Sequence, residues 1–557
     1  MKGVDAVAQI LKLEGVEYLF SYPNHPLIEA AAKIGLRPII ARSEKTLINV
    51  ADGYTRASNA ERPTVIVVQG GPGIENAFGG LAQAASDGVP ILTIPGGPTS
   101  ARLGEGSFDP LPVYNHIMKW TGRINVPVRI PELMGRAFSQ LRNGRLGTVL
   151  LELPADVGAS DVDEPSGQYK PRRAYRSAGD ADDVAEAARM LLAATRPVLH
   201  VGHGVLWAKA WDELRELADL VQAPVMTTMA GKSAFPEDHA LSLGAGGHSM
   251  TQTSAEFLVR SDLVFGIGCS FSKGSFSAPI PVGKTIVQIV GDGRDLDKDY
   301  TTDHAVVGDV KLVLRQLIEE IGRQGAAAKG RENVADEVRK AKDAFLDEWL
   351  PRLTADTAPI SPYRVIWDVL HTVDRRNTII THDSGNPRDQ ALPFFETVAP
   401  RGYLGWGKST QLGTGYGMAL GAKLARPDAL CINVMGDLAF GTAGMEIETA
   451  FREKLPIMTV LLNNSRLGGY SNYMPTASEK YNSNKLTGDY TAVAKGLGAH
   501  AERIEQPGDV KGAVERGVAA TRDGKPVLLE FITREEPIFP DANRVLKEIT
   551  ERELARA

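Results

Sequence analysis

The sequence has little of several features that assign a protein to a special class. Its 557 residues include only two cysteines, Cys269 and Cys431, so a disulfide framework or a cysteine-based metal centre is not supported. Apolar residues make up 43 % of the chain, but no run approaches the ~20 residues that a membrane span requires. The net charge of −6 gives no indication of nucleic acid or anionic membrane binding. We therefore expect a globular protein with neither of these partners.

The first residues do not predict a signal peptide. The first 16 residues predict an amphipathic helix and contain neither a continuous apolar segment nor a signal cleavage site. We therefore expect a cytoplasmic protein. Residues 536–557 are charged and predict a helix, which either folds over a cleft as a lid or ends as a solvated terminus.

The spacing of apolar runs predicts an α/β fold of three doubly wound parallel-sheet domains. Strand-like runs alternate with helical segments in residues 1–165, in a central Rossmann-like region at 183–345, and in residues 360–535. Most runs end in Gly, Pro or a polar residue. Because ligands bind at the carboxyl ends of parallel strands, we expect the functional residues there.

Two polar strand ends stand out in the third region. The run Cys431–Met435 leads into Gly436-Asp437, and the run Met458–Leu462 leads into Asn463-Asn464. A right-handed crossover brings both ends to one edge of the sheet. A carboxylate and an amide oxygen side by side suit a hard cation such as Mg²⁺, with a phosphate completing the shell. The alternative is an ordinary α/β unit with a capping Asp and a turn formed by the two Asn residues.

This stretch resembles the thiamine diphosphate motif, a GDG tripeptide followed at a set distance by an NN pair. The resemblance implies that Asp437, Asn464 and the backbone carbonyl of Arg466 hold Mg²⁺ against the diphosphate of the cofactor. Leu438 departs from the pattern, which usually has Gly there. A literal GDG at Gly291-Asp292-Gly293 lacks the later Asn pair and is interpreted as a strand-end turn. The cofactor is also expected to contact the residues that flank these ligands: Gly436, Ala439, Leu467 and Gly468.

A second resemblance concerns Glu44, which follows an apolar run and precedes a helical segment. From local pattern alone it is an acid in a helix first turn, favoured by the helix dipole. The run RSEKTLINVADGYTR is similar to the RHEQ…AADGYAR segment of acetolactate synthase and its relatives. The resemblance implies that Glu44 is the catalytic acid, which hydrogen-bonds the aminopyrimidine of the cofactor. That role requires a carboxyl group that burial keeps protonated, or sharing a proton, near neutral pH.

Other segments match this family in chain order. A glycine-rich turn after the third strand is similar to the family segment that abuts the pyrimidine ring, and it contains Gly71, Pro72, Gly73 and Asn76. A later strand end and a second glycine-rich turn are expected to contact the diphosphate through Asn386, Gln411 and Gly413. Leu412 matches the apolar residue that bends the cofactor into a V shape, although a core Leu is also consistent with its position.

Some positions depart from acetolactate synthases and concern the substrate. Asn24-His25 replaces the glycines of a YPGGA segment, and Phe108-Asp109 stands where FQE is usual. His25 is expected either to shuttle protons, with a pKa near ~6.5, or to be a solvent-exposed turn residue. Asp109 is expected to act in the active site and to mark a different substrate. The substrate pocket is expected to include Asn24, Phe108, Tyr470 and Tyr473.

The central region raises the question of a second cofactor. Gly202-His203-Gly204 is a GxG pattern after a strand, which favours a dinucleotide, but the third glycine of the Rossmann fingerprint is missing. An NAD-dependent oxidoreductase is therefore an alternative, although it leaves Asp437 and Asn464 unexplained. The arginine-containing run of flavin-binding synthases is replaced by Gly268–Lys273, so FAD is not expected.

The combined resemblance implies a thiamine diphosphate- and Mg²⁺-dependent enzyme that cleaves or forms C–C bonds. An acetolactate synthase-like carboligase acting on a 2-oxo acid is favoured. A 2-oxo acid decarboxylase, a 2-hydroxyacyl-CoA or diketone lyase, and a cofactor-binding regulator without turnover are the alternatives. The family also implies a homo-oligomer, a dimer or a tetramer, in which Glu44 and Asp437 of one chain serve different active sites.

Overall fold

The computed structural model describes residues 1–23, 25–102, 106, 108–165, 169–274, 276–325, 331–468 and 472–556. Three sheets of six parallel strands, each flanked by helices, form the architecture, which confirms the predicted fold class. None of the helices in the described part of the chain combines the length and apolar character needed to cross a bilayer.

The first sheet has the strand order β2-β1-β3-β4-β6-β5. Its strands are β1 (Tyr18–Ser21), β2 (Arg37–Ile40), β3 (Thr64–Val68), β4 (Ile91–Gly97), β5 (Trp120–Arg123) and β6 (Val149–Pro154). The associated helices are α1 (Gly3–Leu13), α2 (Pro26–Lys33), α3 (Glu44–Ala57), α4 (Pro72–Ser86), α5 (Pro110–Tyr114), α6 (Ile130–Arg142) and α7 (Ala155–Ala159).

The second sheet has the order β12-β11-β10-β7-β8-β9. Its strands are β7 (Pro197–Val201), β8 (Val225–Thr228), β9 (Ser242–Gly246), β10 (Leu263–Ile267), β11 (Thr285–Val290) and β12 (His304–Val307). The helices of this part are α8 (Ala181–Ala193), α9 (His203–Ala208), α10 (Trp211–Val221), α11 (Gln252–Arg260), α12 (Val310–Gln324) and α13 (Val334–Leu353).

The third sheet has the order β14-β13-β15-β16-β18-β17. Its strands are β13 (Thr378–His382), β14 (Tyr403–Leu404), β15 (Leu430–Gly436), β16 (Met458–Asn463), β17 (His500–Ile504) and β18 (Val527–Ile532). The helices are α14 (Pro362–Thr372), α15 (Asn386–Ala391), α16 (Thr414–Ala425), α17 (Asp437–Ala443), α18 (Ile447–Arg452), α19 (Pro475–Tyr481), α20 (Tyr490–Gly496), α21 (Val510–Arg522) and α22 (Ala542–Arg556).

The inner strands carry the apolar runs that the sequence reveals. All residues of β3, β6 and β16 are buried, as expected for strands covered by helices on both faces. The outer strands β5 and β17 are only partly buried. Their composition is mixed, because one side of an edge strand faces away from the sheet.

The first and third sheets share one hydrophobic core through the crossing of α3 and α16. Glycines allow the two helix backbones to approach closely. A Cβ atom at Gly421 would lie 1.9 Å from the carbonyl oxygen of Val50, and one at Gly53 would lie 2.1 Å from that of Met418. The crossing therefore fixes the carboxyl edges of both sheets relative to each other.

The C-terminal helix α22 packs against α11 of the second sheet. Its buried apolar residues belong to the same core cluster as Leu258, and Arg260 forms an ion pair with Glu553 at 2.8 Å. Before this helix, His248 lies between two carboxylates, with Nδ1 3.2 Å from Asp389 and Nε2 3.5 Å from Asp541. The tail is thus attached to the second and third sheets, and a function as a lid stays a prediction.

Candidate active site

The carboxyl edge of the third sheet brings together the two predicted metal ligands. Asp437 follows β15 and Asn464 follows β16, and these strands are adjacent in register, with Gly436 paired to Leu462. Asp437 opens α17, and its Oδ1 accepts a hydrogen bond from the Leu438 N–H at 2.9 Å. The Asn464 side-chain oxygen accepts one from the Arg466 N–H at 3.0 Å. These contacts hold the Asp437 and Asn464 side-chain oxygens at the carboxyl ends of two adjacent strands.

The electrostatics of Asp437 fit a cation ligand. Its side chain is only 4 % exposed, and burial raises its pKa to about 6, although backbone N–H groups from Leu438, Ser465 and Arg466 act in the opposite direction. The oxygen Oδ2 is buried without a hydrogen-bond partner. Among the described residues no three His, Cys, Asp or Glu side chains form a metal site, so a cation here needs amide, carbonyl or ligand oxygens.

Two amides and a glycine complete this edge. A Cβ atom at Gly468 would lie 2.9 Å from Nδ2 of Asn386 and 3.7 Å from Nδ2 of Asn464. A later segment of the chain also holds the loop after Asn464, because the Leu467 N–H donates a hydrogen bond to the Asn484 carbonyl at 2.8 Å. Asn386 is therefore next to the predicted metal ligands, and only a residue without a side chain fits between the amides.

The glycine-rich turn before α16 is organised by a buried acid that the sequence reasoning missed. Asp383 follows β13, and its carboxylate accepts hydrogen bonds from the N–H groups of Gly413 at 2.8 Å and Gly415 at 3.0 Å. Burial raises the pKa of Asp383 to about 6. Contact of Gly413 with a phosphate stays a prediction, because its N–H is engaged by Asp383. The neighbouring Gln411 lies against α4, where a Cβ atom at Gly79 would be 2.8 Å from its side-chain oxygen.

Glu44 is the first residue of α3 and is buried. The peptide before it is held by Glu446 from the third sheet, whose carboxylate accepts hydrogen bonds from the N–H groups of Arg42 and Ser43, both at 3.1 Å. The residue after it is also fixed, because Lys45 Nζ donates to the Leu412 carbonyl at 2.6 Å. Residues of the third sheet therefore set the position of Glu44. Sequence reasoning missed Glu446, since no pattern distinguishes it from other helix acids.

The start of α4 agrees with a turn that requires glycine. Gly71 has a φ of 64° and caps α4, whose first residue is Pro72. A Cβ atom at Gly70 would lie 2.3 Å from the Gly96 carbonyl oxygen, so β3 and β4 end in close backbone contact. Gly73 is buried and Asn76 is exposed, which leaves the Asn76 side chain available at this edge.

His25 is buried and not exposed to solvent, and its role in proton transfer stays a prediction. Its Nδ1 accepts a hydrogen bond from the Leu27 N–H at 3.1 Å and caps α2, so the ring proton lies on Nε2. The side chain is buried, so the solvent-exposed turn is wrong. Burial lowers the pKa of His25 to about 4 instead of the expected ~6.5. Nε2 is buried without a partner. His25 is thus a neutral hydrogen-bond donor near Gly96.

The remaining predicted residues have different surroundings. Asp109 caps α5 and accepts a hydrogen bond from Arg123 at 2.7 Å, so part of its role is structural. Phe108 and Leu412 are half-buried against the core shared by the first and third sheets. Tyr473 is 84 % exposed. Asn24 and Tyr470 lie outside the described residues.

A cavity of about 840 Å³ lies at the junction of the three sheets. It is lined by Gly202, His203 and Gly204, the GxG pattern, and by Lys408 of the third sheet. Its lining includes neither Glu44 nor Asp437. The Asp292 of the literal GDG also lines it and caps a turn by accepting the Arg294 N–H at 3.0 Å, as expected for a strand-end residue.

Comparison with known proteins finds three family models along the chain. The N-terminal TPP binding domain of thiamine pyrophosphate enzymes matches residues 1–117, their central domain matches 184–317, and their C-terminal TPP binding domain matches 383–531. Each match overlaps a different sheet: the first covers β1 to β4, the second covers all six strands of the second sheet, and the third begins directly after β13.

Full-length relatives are also found. The chain is 31 % identical to a probable acetolactate synthase large subunit of Methanocaldococcus jannaschii, over 98 % of this chain and 94 % of the relative. It is 30 % identical to a glyoxylate carboligase of Escherichia coli O157:H7, over 96 % of this chain and 93 % of the relative. It is 25 % identical to an acetolactate synthase isozyme 3 large subunit of Escherichia coli K12, over 97 % and 96 % respectively.

Proposed function

This chain belongs to the thiamine pyrophosphate enzyme family, and we propose that it is a thiamine diphosphate- and Mg²⁺-dependent carboligase of acetolactate synthase type. The observation that carries the proposal is the buried Asp437 oxygen without a partner, at the same strand ends as Asn464. The reaction would cleave a 2-oxo acid and join the remaining fragment to a second carbonyl compound.

Residues at the carboxyl edge of the third sheet would hold the cofactor. Asp437, Asn464 and the carbonyl of Arg466 are the Mg²⁺ ligands in this proposal, and Asn386 contacts the diphosphate. The raised pKa of Asp437 supports this assignment, because a cation would stabilise the ionised form that burial disfavours. The bound cofactor supplies a thiazolium ring, which acts as an electron sink for a carbanion next to a former carbonyl carbon.

Residues at the carboxyl edge of the first sheet would take part in proton transfer and orient the cofactor. Glu44 would hydrogen-bond the aminopyrimidine, and Glu446 keeps Glu44 in place through the backbone of Arg42 and Ser43. Leu412 would limit the shape that the cofactor can adopt. Burial of Glu44 at the start of α3 supports its role, because it limits competition from water for that hydrogen bond.

A lyase that uses the same cofactor is the second candidate. The observation in its favour is Asp109, a carboxylate bonded to Arg123 at a position where acetolactate synthases have a neutral amide. A charged group there favours a different substrate from pyruvate, such as a 2-hydroxyacyl thioester or a diketone.

Product analysis tests the proposal. The protein is incubated with Mg²⁺, thiamine diphosphate and either pyruvate or glyoxylate, and products are identified by proton NMR. A carboligation product supports the synthase type, and free aldehyde alone indicates a decarboxylase. If cofactor binds and both acids remain untouched, the carboligase proposal is wrong and the lyase substrates are examined next.

We also propose that the enzyme is at least a dimer with active sites shared between chains. Large apolar side chains are exposed near both edges, including Phe78 on α4 and Met445 next to Glu446, which supports a second copy there. Two inactive variants, Glu44→Gln and Asp437→Ala, are mixed and reassociated. Shared sites restore roughly a quarter of wild-type activity, since half of randomly paired C2 dimers gain one intact site. No restored activity in verified mixed dimers contradicts the sharing.

A further inference from the structure

The carboxyl edge of the first sheet holds a buried acid that the proposed mechanism does not use. Glu152 lies in β6, and its Oε2 accepts a hydrogen bond from Arg123. The other oxygen, Oε1, is buried without a partner. It lies 2.6 Å from the position that a Cβ atom would take at Gly97. A buried carboxylate oxygen without a donor destabilises the fold, so packing alone does not account for this residue.

Arg123 connects this acid to the surface. It ends β5 directly opposite Glu152 in the strand register. Its guanidinium also donates to Asp109 Oδ1 at 2.7 Å, and the Asp109 side chain is 44 % exposed. One guanidinium thus faces two carboxylates, and the group is negative when both are ionised. The exposed end of that negative charge is Asp109.

Asp109 is linked through α5 to the helix that carries residues expected to contact the cofactor. It caps α5, and Tyr114 at the end of α5 donates its hydroxyl to the Ile74 carbonyl at 2.6 Å. Ile74 belongs to the first turn of α4, as does Gly73, and Asn76 follows in the next turn. The Tyr114 hydrogen bond therefore anchors α5 on the start of α4 and keeps the exposed carboxylate at this edge.

We propose that Asp109 is a selectivity residue and Glu152 its positioning residue, which acts through Arg123. Together they give the substrate cleft a negative wall that favours a neutral, hydroxyl-bearing acceptor over a second 2-oxo acid anion. The inference rests on the proposed function, because it names the class of its second substrate. A carboxylate accepts a hydrogen bond from a hydroxyl group and repels another carboxylate. With an effective dielectric constant of about 20, one such charge at ~12 Å changes relative affinity about tenfold.

Glu152→Gln and Asp109→Asn test the inference in the cofactor-loaded enzyme. Each removes one charge and keeps the side-chain shape. For each protein, kcat/KM is measured with a neutral hydroxyaldehyde and with a 2-oxo acid as competing acceptors. We expect both variants to shift the ratio about tenfold toward the 2-oxo acid. The double variant should shift it little further than Asp109→Asn alone, because Glu152 acts only by positioning Asp109 through Arg123. An unchanged ratio in both variants overturns the inference.

Binding of unreactive probes provides a readout that does not need turnover. Oxamate as the anion and lactamide as the neutral hydroxyl compound are titrated calorimetrically into the holoenzyme. Tighter oxamate binding by the variants than by the wild type supports the negative wall even if pyruvate is not a substrate. Equal affinities, or no binding of either probe to any protein, overturn it. Failure of the proposed function is seen separately, as an absence of carboligation products from the wild type.

A matched control uses a solvent-facing acid on a helix that flanks the first sheet. Glu132 on α6 pairs with Arg129 on the surface at 2.6 Å. Glu132→Gln removes an equal charge and should change neither the acceptor ratio nor probe binding. Asp109→Asn also covers the case in which Glu152→Gln fails to fold, because Asp109 is partly exposed.

Discussion

The first and third sheets have the same strand order but different chemistry at their carboxyl edges. Numbered within each sheet, both read 2-1-3-4-6-5, whereas the second reads 3-2-1-4-5-6 in the opposite direction. The helices α3 and α16 both follow the second strand of their sheets, and they pack against each other. The two edges can therefore be compared position by position.

The comparison shows an exchange of side chains at equivalent strand ends. After its third strand the third sheet has Gly436-Asp437, where the first sheet has Gly70-Gly71. After the fourth strand it has Asn463-Asn464, where the first sheet has Gly96-Gly97. The carboxyl edge of the first sheet thus has no carboxylate at these two ends and instead carries Glu44 after its second strand. The same scaffold supports a candidate cation site in one copy and a candidate proton-transfer site in the other.

The largest effect is expected from Glu44→Gln, which tests the proton-transfer side of the comparison. General acid catalysis contributes about 10²–10⁴-fold, so kcat should fall by that amount. The affinity for thiamine diphosphate, measured by calorimetry, should stay unchanged. Glu29→Gln, in the first turn of α2, is the control and should leave turnover intact. A weakened cofactor affinity in Glu44→Gln would instead place Glu44 in cofactor binding.

Asp437→Asn tests the cation side. Loss of an outer-shell partner alone costs ~10–100-fold in metal affinity, so Mg²⁺-dependent cofactor binding should weaken by at least that much. The matched control is Asp292→Asn in the literal GDG, which should not change Mg²⁺ dependence. Unchanged cofactor binding in Asp437→Asn across a Mg²⁺ titration would show that Asp437 is not a metal ligand.

Gly421→Ala tests the contact that joins the two halves. The new methyl group would meet the Val50 carbonyl, and overpacking of this kind lowers the free energy of unfolding by about 1–3 kcal/mol. Gly322→Ala in α12 meets nothing within 4 Å and should raise it by about 0.4–1 kcal/mol. Urea unfolding of both variants measures the difference. Equal stabilities would mean that α3 and α16 separate easily.

Glu446→Gln should lower kcat about fivefold, since loss of one of its hydrogen bonds to the Arg42 and Ser43 N–H groups costs about 1 kcal/mol. Cofactor affinity should not change, because the Glu446 side chain positions Glu44 and does not contact the proposed cofactor ligands of the third sheet. Glu448→Gln, two residues away and paired with Arg452, is the control. Restoration of kcat by Glu446→Asp would support a positioning role, and an equal loss in Glu448→Gln would contradict it.

The smallest effect concerns the link between the third sheet and the tail. The hydrogen bond to Asp389 raises the pKa of His248, so its charged form stabilises the folded state. This contribution is complete below the unfolded pKa of ~6.5 and is lost as pH rises through the folded value. His248→Gln should lower Tm at pH 6, by less than about 1 kcal/mol in free energy, and less so at pH 9. A pH-independent difference would show that the contacts of His248 with the tail are steric.

The sequence predicts the inner strands and misses the edges. Five strands escape the apolar-run criterion, namely β5, β9, β12, β14 and β17, and each is an outermost strand of its sheet. An outermost strand has a neighbour on one side only, so its residues need not be continuously apolar. Asp437 and Asn464 are singled out by strand ends and spacing, and the role of Glu44 is implied by the resemblance to acetolactate synthase and its relatives. Glu446, Asp383 and Glu152 are not, because no local pattern marks their partners. Glu446 contacts a segment 404 residues away, Asp383 contacts a turn 30 residues later, and Glu152 is distinguished by a single buried oxygen.

The clamp of Glu446 on the Arg42–Ser43 backbone has a consequence for recombination between relatives. The orientation of the proposed acid in the N-terminal segment is encoded about four hundred residues later in the same chain. A chimera that joins the first sheet of one relative to the third sheet of another inherits a working acid only when the incoming segment supplies an acceptor at position 446. The first sheet is therefore not an independent module, and a productive crossover keeps residues 42–57 and 412–446 from the same parent.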